Sequence, residues 1–199
     1  MKPSRDRAYD KAYFDRWYRN PLHRVSTPAS VARKARLVVA VAEYYLGRRV
    51  RTALDVGCGE GQWQPALKRL GIRYTGIDPS PYAIRRFGSR RRLVLGSFGN
   101  LPRLASSYDL LICCDALYYV PDDELIIGLE ILAQRLAGIA FLEAYPADVR
   151  LDGDISGMVP RTAAFYRRVF RNAGLVSCGS HCYAGPALQD RVTELERGR

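Results

Sequence analysis

Histidine is almost missing from this chain: His23 and His181 are the two imidazoles in 199 residues. Cysteine is scarce and odd in number, at positions 58, 113, 114, 178 and 182, with no Cys-x-x-Cys pair. A structural zinc site needs several soft ligands at regular spacing, and the fragment Cys178, His181, Cys182 has only the distant His23 to complete it. No metal is therefore expected. Adjacent Cys113 and Cys114, inside an apolar run, do not resemble a disulfide framework, so reduced thiols are expected. No apolar run approaches the ~20 residues of a membrane helix; residues 37–46 are too few and include Glu43. The N-terminal charges are not followed by an apolar secretory segment. A cytoplasmic protein without membrane association is the expectation.

Lysine is the other scarcity, with 4 against 27 arginines. A net charge of +11 invites a polyanionic partner. The arginine bias has a simpler source, however, in GC-rich coding. The charge is also uneven: residues 1–52 carry +9, 53–110 +5, 111–160 −7 and 161–199 +4.

The length suits one α/β domain with a full core. Tyr9, Tyr13, Phe14 and Trp17 recur at helical spacing over residues 9–20, and Pro21 ends that helix. This aromatic stripe packs on the sheet flank or, with Trp17 and Tyr18, forms a lid. A second helix is expected from Ser30 to Leu46, stopped by Gly47. Strands are then expected near 51–56, 72–77, 92–96, 108–114 and 137–144. Helices are expected between them near 61–70, 81–88, 101–105 and 122–135. Continuous apolar strands alternating with helices predict a parallel sheet covered on both faces. A helix over 162–173 and a closing strand pair at 175–183 and 190–196 complete the pattern.

The most informative run is Ala53-Leu54-Asp55-Val56-Gly57-Cys58-Gly59-Glu60-Gly61. An apolar strand ends in an acid and meets glycines at every second position, which lets backbone amides approach a ligand. Asp78 follows 17 residues after Gly61, at the end of the next strand, where a ribose-binding carboxylate belongs. These motifs, Gly76-Ile77-Asp78-Pro79-Ser80 and Tyr108-Asp109-Leu110-Leu111-Ile112 together resemble the class I S-adenosylmethionine-dependent methyltransferases. The resemblance spans roughly residues 53–145. It is specific for cofactor and fold and says little about the methyl acceptor.

The resemblance implies a Rossmann-like, seven-stranded, mostly parallel sheet with helices on both faces and an antiparallel last strand. Residues 1–50 would form an N-terminal helical cap or extension, and 51–199 the S-adenosylmethionine-binding domain. Asp55, Gly57, Cys58, Gly59, Gly61 and Trp63 would surround the methionine end of the cofactor, whose product is S-adenosylhomocysteine. Asp78, followed by Pro79, would hold the two ribose hydroxyls, one on each carboxylate oxygen. Ser97 stands where the family often has an acid near the adenine, and Phe98 packs on the ring or in the core. Cys114 ends the fourth strand at the edge where ligands of open α/β sheets bind.

Asp115, Tyr118 and Tyr119 follow it and are the candidate catalytic residues. Many small-molecule enzymes of the family have an acid and a histidine in this stretch; here Tyr119 replaces the histidine. The Leu-Tyr-Tyr string is similar to that of nodulation-type N-methyltransferases. Asp115 would serve as a base or hold a cationic amine, and the tyrosines would orient the acceptor or merely pack. Glu143 and Tyr145 end the fifth strand on the same side, and residues 150–160, with Asp152 and Asp154, form either a loop over the pocket or an uninvolved excursion. The Asn-Pro-Pro-Tyr and Pro-Cys signatures of base-methylating enzymes are absent. The expected function is methyl transfer to a small-molecule acceptor at N, O or S, by a monomer or homodimer. RNA or protein methylation and a non-catalytic S-adenosylmethionine-binding module are the alternatives; a nucleic-acid partner stays open but is not favoured.

Overall fold

The computed structural model describes residues 9–149 and 153–192. Residues 1–8 of the expected cap, Asp152 of the expected loop and most of the strand expected at 190–196 lie outside them.

The chain enters through α1 (Lys11–Phe14), which continues as one π-helical turn (Asp15–Arg19). The aromatic repeat thus forms a helix in two geometries. Asp10 caps it by accepting from the Tyr13 amide at 2.9 Å. The next helix, α2 (Pro28–Leu46), begins two residues before the expected start because a capping box sets its end. The Thr27 hydroxyl accepts from the Ser30 amide at 3.1 Å, and the Ser30 hydroxyl accepts from the Thr27 amide at 2.9 Å. Pro28 then fits the first turn, where its missing N–H costs nothing. Gly47, in the left-handed conformation at φ +66°, ends the helix.

Seven strands follow: β1 (Thr52–Val56), β2 (Arg73–Asp78), β3 (Leu93–Leu95), β4 (Tyr108–Cys114), β5 (Leu136–Glu143), β6 (Val176–Gly179) and β7 (Cys182–Ala184). Their order in the sheet is β3-β2-β1-β4-β5-β7-β6, and β7 runs antiparallel to both neighbours. Helices α3 (Gln64–Arg69), α4 (Pro81–Arg91), α5 (Asp122–Ala133) and α6 (Ala163–Asn172) make the crossovers. Alternate strand residues divide into two cores: Ala53, Leu110 and Ile139 pack with α2 and α3, and Leu54, Leu111 and Ala140 pack with α5 and α6.

Two expectations are corrected. Residues 101–105 form a loop, not a helix, since Pro102 and the short apolar pattern offer no buried face. The closing hairpin is β6–β7, and Pro186–Arg191 is a 3-10 helix where the second closing strand was expected to start. Ser180 and His181 both adopt positive φ, giving the tight turn the hairpin needs.

One acid in the continuous strand β4 is structural. Asp109 accepts from the Arg48 guanidinium at 2.7 Å and from the amides of Arg51 at 2.7 Å and Thr52 at 3.2 Å. Burial opposes its charge, but these donors outweigh burial and hold its pKa below the usual range. Arg161 is the corresponding buried cation. Its guanidinium donates to the Leu117 carbonyl at 3.0 Å, to the Val120 carbonyl, and to Asp122 at 2.7 and 2.8 Å. It thereby fixes the 3-10 turn Leu117–Tyr119 and the start of α5. Arg161→Ala is expected to lower stability by about 2 kcal/mol, because two carbonyls lose their donor. A thermal melt should show a fall of roughly 4–8 °C.

Candidate active site

The glycine-rich turn is built by backbone conformations that only glycine adopts at low cost. Gly57 has φ +75° and Gly59 φ +55°. A Cβ on Gly57 would lie 2.5 Å from the Ala116 Cβ, and one on Gly59 would lie 2.2 Å from the Tyr18 hydroxyl oxygen. Gly57 and Cys58 donate to the Ile77 carbonyl at 2.8 and 3.1 Å, joining the turn to β2. Helix α3 begins only at Gln64, so the turn is longer than its sequence pattern implies.

Asp78 closes this arrangement from the end of β2. One carboxylate oxygen accepts from the Gly59 amide at 2.6 Å and the other from the Ser80 amide at 2.9 Å. Each oxygen keeps a second lone pair. Burial raises the Asp78 pKa to about 6, with the two amides acting in the opposite direction. Asp55, on β1, is buried and accepts from the Tyr74 hydroxyl at 2.6 Å. Burial raises its pKa to about 7, opposed by that hydrogen bond and reinforced by the Asp78 charge.

A cavity of ≈ 670 Å³ opens above the turn. Asp55, Gly57, Cys58, Gly59, Trp63, Asp78, Pro79, Ser97, Phe98, Cys114, Asp115, Tyr118 and Tyr119 all line it. Gly61 does not; at φ +71° it makes the turn pack against Leu93 and Arg91. Trp63 and Phe98 also contribute to the core on opposite faces of the sheet, so each serves packing as well as lining. Ser97 sits in a turn in which it and Asn100 exchange backbone hydrogen bonds.

The N-terminal segment forms one wall. Tyr9, Tyr13, Phe14, Trp17 and Tyr18 all line the cavity. Phe14 is buried and stacks on Tyr82 with ring centroids 5.6 Å apart. Ser80 donates to the Tyr9 carbonyl at 2.5 Å, and Arg19 pairs with Glu60 next to the glycine turn.

The other end carries a cluster that sequence reasoning only partly reached. Lys34 of α2 donates to both Glu143 oxygens, at 2.8 and 2.6 Å. The Cys114 thiol donates to Glu143 at 2.8 Å and lies 3.5 Å from an Asp115 oxygen. Ligand atoms of Cys114, Asp115 and Glu143 lie within 4.8 Å of one another, but the Lys34 ammonium already stands among them as their cation. Burial opposes the charge of Glu143, yet the Cys114 and Lys34 hydrogen bonds keep its pKa lowered. Asp115 has its pKa raised, chiefly by burial and then by Glu143. Its backbone is left-handed at φ +56°, a strained conformation for a non-glycine residue. Tyr118 packs edge-on to Tyr119 at 4.6 Å and near Tyr145 at 6.2 Å. The Tyr119 hydroxyl donates to the Asp154 carbonyl, bringing the 153–160 segment to the cavity rim.

Lys34 was missed as a site residue. The available signal was its position: it falls between Val31 and Val38 on the apolar face of α2, where a charge needs a partner.

The buried pair Asp55 and Asp78 gives the fold a pH dependence of definite sign. A carboxyl whose folded pKa lies above its unfolded value favours the folded state most at low pH. Its contribution falls as pH rises from about 4, the unfolded value, through about 7 for Asp55 and about 6 for Asp78. In ligand-free protein, Asp55→Asn should therefore raise the melting temperature at pH 8 and flatten its decline between pH ~4 and ~7. A melt series across pH checks this; a variant less stable than the parent at pH 8 would contradict it.

Comparison with known proteins agrees with this geometry. Residues 54–128 match the family model of a methyltransferase domain. An uncharacterized methyltransferase of Mycobacterium sp. (strain JLS) is 30% identical over 95 residues, covering 46% of this chain and 38% of that protein. A ubiquinone biosynthesis O-methyltransferase of Cupriavidus pinatubonensis is 30% identical over 150 residues, covering 63% of this chain and 60% of that protein. The chain thus spans less than two thirds of the length of these curated relatives. Among solved structures, the SAM-bound amino pentose methyltransferase CalS10 of Micromonospora echinaspora shares the fold with TM-score 0.65 at 16% identity, covering 79% of this chain and 92% of that one. The magnesium protoporphyrin IX methyltransferase of Synechocystis with bound SAM does so with TM-score 0.57 at 18% identity, covering 89% and 90%. By its matched segment the chain is similar to a methyltransferase domain over residues 54–128, and its sheet has the Rossmann-like fold of the solved methyltransferases.

Proposed function

We propose that this protein transfers a methyl group from S-adenosylmethionine to a small-molecule acceptor. The observation that carries the reading is the joint position of Asp78 and the glycine turn in one cavity of ≈ 670 Å³. Asp78 is anchored by two backbone amides, with one lone pair left on each oxygen for a sugar diol. Gly57 and Gly59 let the turn's backbone pack closely against Ala116 and Tyr18, which line the same cavity. Asp55 lines the cavity and would meet a ligand ammonium, and the N-terminal aromatic residues line the same space. These groups fit the polar ends of the cofactor, and the cavity walls between them fit its apolar middle.

When bound, S-adenosylmethionine supplies an activated methyl group on a positively charged sulfur. The protein's own contribution is alignment, exclusion of water and acceptance of a proton. Trp17, Tyr118 and Tyr119 line the same cavity, and an acceptor bounded by them would approach in line with water kept out. Asp115, with its raised pKa, is the candidate base or amine holder. A cavity walled by the chain's own N-terminal segment suits a metabolite better than a polymer. The reading extends to a cytoplasmic location, supported by the unbridged thiols of Cys58, Cys113, Cys114 and Cys182. Among the described residues, no helix is long and apolar enough to cross a membrane.

Asp78→Ala should abolish measurable binding of S-adenosylhomocysteine, a loss of at least about 100-fold expected for two charge-assisted hydrogen bonds. Calorimetry checks it, with a thermal melt to establish that the variant is folded. Unchanged affinity in a folded variant would overturn the assignment.

A further inference from the structure

The charge of the cavity wall runs against the charge of the molecule. The chain has 31 basic and 20 acidic residues, and its net charge is +11. Yet the cavity is lined by Asp55, Asp78, Asp115, Glu124 and Asp154, with Lys34 as the one cationic side chain among the described lining residues. None of those lining residues is an arginine. Asp115, Glu124 and Asp154 come from the 111–160 stretch, whose net charge is −7, so the basic excess of the chain lies away from the cavity.

The five acids separate by location. Asp55 and Asp78 stand at the ends of β1 and β2 beside the glycine turn, Glu124 lies against Gly99 next to Phe98, and Asp115 and Asp154 adjoin Cys114 and Tyr119. The cation there is committed, because the Lys34 ammonium engages both oxygens of Glu143. That pair is neutral as a unit and leaves Asp115 as an excess negative charge. The Cys114 thiol lies 3.5 Å from an Asp115 oxygen, but its one proton goes to Glu143 at 2.8 Å, so it gives Asp115 no strong hydrogen bond. Beside it the rings of Tyr119, Tyr118 and Tyr145 form a continuous aromatic group, with Trp17 also on the wall. A carboxylate next to several ring faces attracts one kind of ligand in particular, an organic cation. An anionic or phenolate acceptor would meet Asp115 and find the lysine already occupied.

We infer that the methyl acceptor is a primary or secondary amine, entering as its ammonium form and held by Asp115 against the tyrosine cluster. This rests on the methyl-transfer reading above. The ammonium nitrogen gives one proton to an Asp115 oxygen and so recovers its lone pair. That pair forms the new N–C bond to the methyl carbon as the carbon–sulfur bond breaks, with its electrons remaining on sulfur. The products are an N-methylammonium, a neutral thioether and a protonated Asp115, which returns its proton to water. The negative wall also draws cationic ligands from solution, since such fields raise association rates.

The test uses three probes of similar shape, benzylammonium, benzyl alcohol and benzoate, titrated calorimetrically into full-length protein saturated with S-adenosylhomocysteine. Benzylammonium should bind at least about tenfold more tightly than benzyl alcohol, and benzoate should bind most weakly. Asp115→Asn should reduce benzylammonium to the level of the alcohol and leave S-adenosylhomocysteine affinity unchanged. Asparagine tolerates the left-handed backbone at this position, so the variant is expected to fold, and a thermal melt verifies it. The inference is overturned if the alcohol or benzoate binds as tightly as the amine, if the preference survives in Asp115→Asn, or if none of the three binds. Asp115 serving the positively charged sulfur instead would produce the second of these results or the third. Failure of S-adenosylhomocysteine itself to bind would overturn the methyl-transfer reading, and this inference with it.

Discussion

The site depends on a buried carboxylate held by backbone amides. Asp78 accepts from Gly59 on one side and Ser80 on the other, so a single side chain joins the turn after β1 to the turn after β2. Those two turns belong to adjacent parallel strands, paired from Thr52–Arg73 to Val56–Ile77. The geometry of the crevice is therefore set by the sheet register and not by flexible loops. The charge is kept in a desolvated place at a cost visible in its raised pKa. A protein retains such a cost where a ligand later satisfies the group.

The same logic organises the opposite end of the cavity, with different means. Arg161 holds the Leu117–Tyr119 turn by its carbonyls, and the Tyr119 hydroxyl in turn holds the 153–160 segment. Lys34 fixes Glu143 and, through it, the Cys114 thiol. The strained backbone of Asp115 lies between these two supports. Strain at one residue persists only where the surroundings over-determine it, and here buried Arg161 and half-buried Lys34, from distant segments, do so.

Much of the fold was legible in local pattern. Strand β4 reads as buried because every residue from Tyr108 to Cys113 is apolar except Asp109, and the strand is covered on both faces. Gly47 marked the end of α2, and the glycine turn with Asp78 marked the crevice. Local pattern failed where the decision was not local. Residues 101–105 have apolar residues at helix-compatible spacing but too short a run to nucleate. The closing strands could not be delimited because the β6–β7 turn uses positive φ at Ser180 and His181, residues that carry no glycine signal.

The sequence by itself determined which two turns would meet beside the carboxylate of Asp78. A strand, a glycine turn and an acid one strand later are covalently close, and their spacing leaves one arrangement in a parallel sheet. Tertiary structure alone decided which charges meet at the other end of the cavity. Lys34 and Glu143 are 109 residues apart, and Arg161 reaches carbonyls 41 and 44 residues away. Whether a charge is spent on a partner or left for a ligand depends on which segments meet. That is fixed when α2 packs on β5 and the 117–122 turn packs on Arg161. No periodicity along the chain encodes those meetings, because they join segments whose patterns are separately satisfied by burial.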